Sequence, residues 1–180
     1  MPANDAPQLS HMGIFVRDME LMSKFYTTLF GLRITDRGRG RRFHNDLVFL
    51  SAHPDQHHQL VLSSGRPAEA SFSTVMQLSF KVGQIADLRR ISRAAPALGA
   101  TRIMPLNHGN ALSVYMGDPE DNTVEVYLDT PYYIAQPHGD ALDLDKTDEA
   151  LWRETEATCR ADPSFMPVEE WQRRFVRGTC

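Results

Sequence analysis

Apolar residues in this chain fall into short blocks, and the order of the blocks repeats. The first block, Leu9 to Val16 (Leu-Ser-His-Met-Gly-Ile-Phe-Val), is apolar and β-rich and predicts a buried strand. Asp18 stands where a helix N-cap belongs. Leu21, Met22, Phe25, Tyr26 and Leu29 recur at helical spacing, and Gly31 follows where a helix end needs φ > 0. Leu32 to Thr35 is a short strand, Asp36 to Arg42 a Gly/Arg-rich exposed hairpin, and Asp46 to Ser51 and Gln59 to Ser63 two further strands. Gly65, Arg66 and Pro67 mark a linker.

The order then begins again. Val75 to Val82 predicts a strand, and Ile85, Leu88 and Ile91 a helix within Gln84 to Leu98 that ends early or kinks at Pro96. Strands follow at Thr101 to Met104, Leu112 to Met116 and Thr123 to Leu128, the last two joined by the turn Asp118-Pro-Glu-Asp-Asn122. Both halves read strand, helix, strand, strand, strand, with first strands about 66 residues apart, too long a period for a solenoid. The expectation is an α+β fold: two βαβββ modules, about 8–64 and 73–130, forming an open eight-stranded barrel-like sheet with outer helices. They make one domain, 8–130.

The pattern changes after Thr130. Pro131, Tyr132, Tyr133, Pro137 and Gly139 predict an extended link, and Asp145 or Thr147 caps a helix through about Ala161. Pro163 and Pro167 break it before a last amphipathic stretch, Val168 to Phe175. This tail, 131–180, is too small and charged for a separate domain. It is expected to pack on the core, across a pocket mouth or on a second subunit.

Composition narrows the function. With 180 residues and 42% hydrophobic content the chain supports one sizeable core. A net charge of −4 lacks the basic footprint of a nucleic-acid binder. No apolar run approaches the roughly 20 residues of a membrane helix, and Met1 to Ser10 lacks the basic and apolar regions of a secretory signal. Cys159 and Cys180 do not make a disulfide framework, so a reducing cytoplasm is expected.

Among seven histidines, His11 stands out because it lies in the first strand among apolar residues. Glu125 lies in the last strand between Val124 and Val126, where a carboxylate is costly unless paired or bound to metal. Singly, His11 reads as a hydrogen-bonded core histidine and Glu125 as a strand-edge charge. Together, in the framing strands of a repeated unit, they point to a metal site. The arginines 37, 39, 41 and 42 read as a solvated hairpin rather than an anion site.

Three stretches resemble the vicinal oxygen chelate superfamily, and within it the single-domain type I extradiol ring-cleaving dioxygenases. They are Leu9-Ser-His-Met-Gly-Ile-Phe-Val-Arg-Asp18 with Phe25-Tyr26 and Phe30-Gly31-Leu32, then Asp55-Gln-His-His-Gln-Leu-Val-Leu62, then Ser113-Val-Tyr-Met-Gly-Asp-Pro-Glu-Asp-Asn-Thr-Val-Glu125. The resemblance implies metal ligands at His11, Gln77 and Glu125. Gln77 departs from the histidine of the two-histidine, one-carboxylate set that suits Fe(II); glutamine does serve as a ligand in glyoxalase-like members. A shifted ligand such as His58, or loss of the metal, are the other readings. The fourth carboxylate ligand of glyoxalases falls, by the repeat offset, on Gln59.

The same resemblance implies pocket roles for His58, His108 and Tyr115. A histidine can shuttle a phenol proton and a tyrosine hydroxyl can hold an anionic substrate oxygen. Read without the resemblance, they are a solvated strand entrance, a loop histidine and a core tyrosine. The implied activity is extradiol cleavage of a small catechol-type aromatic by dioxygen, with Fe(II) as the first metal and Mn, Zn or Ni as others. The partners are substrate and dioxygen, not nucleic acid or membrane, and the chain is expected to form a homo-oligomer. A non-oxidative isomerase or lyase of the glyoxalase type, and a non-catalytic resistance-type binding protein, remain the alternatives.

Overall fold

A computed structural model describes residues 7–179, which divide into two compact units between Val75 and Met76. The first unit holds β1 (Met12–Val16), α1 (Met19–Phe30), β2 (Arg33–Arg39), β3 (Asp46–Ser51) and β4 (Leu60–Ser64). Its sheet runs β1-β4-β3-β2, with β1 parallel to β4 and the other pairs antiparallel. Asp18 is extended and accepts from the Leu21 amide at 2.9 Å, which starts α1, and Gly31 ends it at φ 69°. Met22, Phe25, Tyr26 and Leu29 are buried on the face that packs on β3 and β4. Each contributes roughly 1.5–3 kcal/mol by leaving water.

The strand β2 runs four residues past the predicted end at Thr35, pairing with β3 across a register shift between Ile34 and Asp36. Every residue of β2 is exposed, so apolar patterning could not mark its length. Arg37 pairs with Glu20 and Arg39 donates to the His44 carbonyl, as a solvated hairpin should.

The second unit holds β5 (Leu78–Lys81), α2 (Ile85–Ala94), a 3-10 turn (Ala95–Leu98), β6 (Thr101–Asn107), β7 (Ala111–Gly117) and β8 (Thr123–Asp129). The tail follows as β9 (Tyr132–Tyr133), β10 (Asp140–Ala141), α3 (Asp148–Ala161), β11 (Met166–Pro167) and α4 (Val168–Arg177). The missing N–H of Pro96 explains the change from α2 to the 3-10 turn. The sheet order is β10-β6-β7-β8-β5, with β5 parallel to β8. Thus each half is a βαβββ module, the class is mixed α+β, and the eight module strands are shared equally between two mixed sheets.

The predicted link after Thr130 is more structured than its Pro/Gly content implies. Strand β10 adds to the edge of β6, and β9 pairs with β11. Thr147 accepts from the Ala150 amide at 3.2 Å and starts α3, which buries Leu151, Thr155 and Cys159. No helix among the described residues is long and apolar enough to cross a membrane. The expectations about the extreme N-terminus, Met1 to Ala6, and about Cys180 lie outside the described residues.

Candidate functional site

Alternation along β8 decides where its carboxylate points. Val124 and Val126 are fully buried on the face covered by α2, so Glu125 projects from the opposite face. The register places Ser79 of β5 on one side of Glu125 and Tyr115 of β7 on the other. Ser113 Oγ donates to Glu125 Oε1 at 2.8 Å, and Ser79 Oγ donates to Oε2 at 2.7 Å. Gln77 Nε2 donates to Oε2 at 2.8 Å and to Ser79 Oγ at 2.9 Å. Residues 77 and 79, 113 and 115, and 125 therefore share one face of three adjacent strands.

Glu125 is 7% exposed, and among the described residues no arginine, lysine or histidine forms an ion pair with it. Three neutral donors hold its oxygens, but a buried carboxylate without a counter-charge remains costly. This electrostatic imbalance fits a cation. The Gln77 amide spends its nitrogen on Glu125 and Ser79, which leaves Oε1 as a neutral oxygen donor. Glu125 and Gln77 thus fit a divalent ion by donor chemistry. Among the described residues no group of three or more His, Cys, Asp or Glu side chains is arranged to hold a metal.

Tyr115 lies beside this carboxylate. Burial, then a hydrogen bond to Glu125 and the Glu125 charge, push its hydroxyl up to about 12, so it keeps its proton at neutral pH. Its Oη meets His108 Nε2 at 3.2 Å. His108 Nδ1 lies 2.6 Å from the His138 carbonyl, which can only accept, so Nδ1 carries a proton, and in the neutral ring Nε2 is then an acceptor facing Tyr115 Oη. Gln77, Glu125, Tyr115 and His108 are therefore brought together in the second unit.

The first unit brings His11 together with His58. Their rings lie 4.4 Å apart at 61°, and His11 Nδ1 bonds to Ser10 Oγ at 3.0 Å. The expected place of His11 inside the strand is corrected: it precedes β1 and is exposed. Apolar neighbours in sequence misled because strand faces alternate, and His11 shares the exposed face of Gly13 and Phe15. Gln77 stands equivalently, immediately before β5. His58 bonds to His57 Nδ1 at 2.9 Å, and His57 Nε2 to Asp36 at 2.9 Å. Partial burial, then the charges of His11 and His57, hold His58 below the ordinary histidine range.

A second correction concerns the fourth carboxylate position. Gly13 pairs with Val61 in the first unit as Ser79 pairs with Glu125 in the second, so the counterpart of Glu125 is Val61. Gln59 instead accepts from the Ala52 amide at 2.9 Å. A valine offers no ligand atom. Sequence reasoning passed over Ser79 and Ser113 altogether. Their signal was parity: each lies two positions from a candidate, Gln77 or Tyr115, and so shares its face. The carbonyl of His138 carried no signal, because any residue has one.

Residues 8–126 match the model of the Glyoxalase/Bleomycin resistance protein/Dioxygenase superfamily. An uncharacterised protein of Pseudomonas aeruginosa is 25% identical over 131 residues, covering 70% of this chain and 91% of its own. Among solved structures, a glyoxylase/bleomycin resistance protein/dioxygenase domain from a Frankia species aligns with TM-score 0.58 and 20% identity, over 69% of this chain and 99% of that one. The fosfomycin resistance protein FosX of Mesorhizobium loti aligns with TM-score 0.53 and 22% identity, over 68% and 91%. FosX of Listeria monocytogenes, in complex with Mn(II) and sulfate, aligns with TM-score 0.54 and 17% identity, over 69% and 94%. At these identities the structural likenesses are likenesses of fold.

Proposed function

The chain belongs to the Glyoxalase/Bleomycin resistance protein/Dioxygenase superfamily, and from that premise we propose that it is a metal-dependent enzyme that cleaves a catechol-type aromatic in the extradiol sense. The supporting observation is the cluster on the face of β5, β7 and β8 opposite α2: a buried carboxylate without a cationic partner, beside a tyrosine–histidine proton pair. Glu125 and Gln77 are the ligands in this reading. His11, at the position equivalent to Gln77 in the first unit, is the third ligand that the resemblance implies.

When bound, the metal supplies Lewis acidity toward two neighbouring substrate oxygens and, if it is iron, a place for dioxygen. The remaining chemistry belongs to the chain. Tyr115 Oη donates a hydrogen bond to an anionic substrate oxygen. His108 Nε2 accepts a proton, by way of Tyr115 or from a substrate hydroxyl. Ser79 and Ser113 hold the two Glu125 oxygens in place. His58 is the leading acid–base residue that the resemblance implies, and its lowered pKa favours the neutral ring that can accept a proton.

One observation favours a second reading. Gln77 is a neutral oxygen donor where an imidazole suits iron, and a Mn(II)-bearing structure shares the fold. Here the metal acts as Lewis acid alone, and the enzyme is a non-oxidative isomerase, lyase or related type. Metal analysis after anaerobic purification, beside a Glu125→Ala control, tests both. Near-stoichiometric iron lost in the control, with oxygen uptake on a catechol panel, is the outcome expected of the dioxygenase. Manganese, zinc or nickel without oxygen uptake moves the assignment to the second reading. No metal in either protein after reconstitution overturns both and leaves a small-molecule-binding protein.

A further inference from the structure

Among the described residues, the tail meets the candidate site at the hairpin turn between β6 and β7 that carries His108. Gln136 joins the two backbones: its Nε2 donates to the His108 carbonyl at 2.8 Å, and its Oε1 accepts from the His138 amide at 3.1 Å. That double bond pattern sets the His138 carbonyl against His108 Nδ1 at 2.6 Å. The turn itself is held from the same side. Thr130 Oγ1 donates to the Gly109 carbonyl at 2.6 Å, and the Thr130 amide donates to the Asn110 carbonyl at 3.0 Å. Asn107, buried, donates to Thr155 Oγ1 of α3 at 2.9 Å and accepts from the Gly109 amide at 2.8 Å. Ile134, fully buried, fills the space beside Gly109.

We propose that the tail segment Thr130–Gly139 is a positioning strap that locks His108 in the Nδ1–H tautomer and so turns its Nε2 lone pair toward Tyr115. The physical argument is one of donors and acceptors. A backbone carbonyl has no proton to give, so a neutral imidazole facing it must place its proton on Nδ1. The other nitrogen is then an acceptor, and the ring cannot turn over without leaving the carbonyl unpaired by this donor. Gln136 is the side chain that makes this placement depend on sequence, since the His138 carbonyl itself cannot be substituted. The segment lies beyond residues 8–126, which match the superfamily model. The inference deepens the proposed proton pair and rests on that reading for its catalytic meaning, but not for its structural content.

The test is ¹⁵N spectroscopy of the histidine rings in the full chain without substrate or metal, at about pH 8, above the range where histidines ordinarily titrate. A His108→Ala spectrum identifies the signals. The expected wild-type result is a protonated Nδ1 and an unprotonated Nε2. Gln136 is exposed, so Gln136→Ala should keep its fold and its melting temperature while losing the single-tautomer pattern. Gln136→Glu keeps the acceptor for the His138 amide but not the donor to the His108 carbonyl, and should lose the pattern too. A wild-type ring protonated on Nε2, or a folded Gln136→Ala protein with the wild-type tautomer, overturns the proposal. Because no turnover is read, failure of the dioxygenase assignment leaves this result standing.

Discussion

Ser113 shows how much one small side chain can decide. It is fully buried, and its hydroxyl donates to Glu125 Oε1 at 2.8 Å. Partners that orient a ligating carboxylate typically govern metal affinity about 10–100-fold. Ser113→Ala should therefore weaken metal binding by roughly tenfold or more, read by titration of the metal-free protein, while its melting curve stays cooperative. Unchanged affinity would show that Glu125 is not a ligand, or needs no orientation. Cys159 offers a contrasting case. It is fully buried, and burial, then Asp162, push its thiol up. In a Cys180→Ser background, Cys159 should resist a thiol reagent at neutral pH and react fully after denaturation; fast native labelling would contradict its burial.

At the scale of elements, the hairpin turn and the tail depend on each other. Gly109 has φ 74°, and a Cβ there would run into Ile134 Cδ1. Gly109→Ala thus combines a left-handed backbone with a clash against a buried side chain. It should destabilise the protein by about 2 kcal/mol or more in denaturant titration. A second link joins the end of α3 to the strap: Ser164 donates to Asp162 through its amide and hydroxyl and accepts from the Ala135 amide at 2.7 Å. The Ser164 hydroxyl, then its amide, hold the Asp162 carboxyl below its usual range. A folded pKa below the unfolded one contributes stability above the unfolded pKa, and loses it as pH falls through the folded pKa. The melting-temperature gap between wild type and Ser164→Ala should accordingly narrow as pH falls through the carboxylate range. The Ala135 contact would persist, so the gap should not close.

For the whole molecule, the tail is part of the second unit rather than an appendage. It contributes Ile134, Leu142, Leu151 and Cys159 to the buried set and a strand to the edge of β6. Each large apolar side chain among them contributes roughly 1.5–3 kcal/mol, against a typical total stability of about 5–15 kcal/mol. Truncation after Thr130 should therefore lower the melting temperature by about 10 °C or more, or yield insoluble protein, by circular dichroism of the purified chain. A truncated protein that melts like the full chain would return the tail to the role of a loose extension.

The sequence by itself determined the element order of the two βαβββ modules and the cap residues Asp18 and Gly31, and narrowed the α3 cap to Asp145 or Thr147, because periodicity and capping are local. It also marked Glu125, since a carboxylate between two valines in a strand is conspicuous without any partner in view. The site's surroundings were decided only by tertiary structure. Ser79, Ser113 and Glu125 meet through strand register, and register depends on loop lengths and non-local pairing. That is also why a constant repeat offset pointed to Gln59 when the pairing selects Val61. The partner of His108 was hidden for a further reason. It is a main-chain carbonyl on a segment that looks like a linker, and its importance comes from where the chain returns rather than from which residue it is.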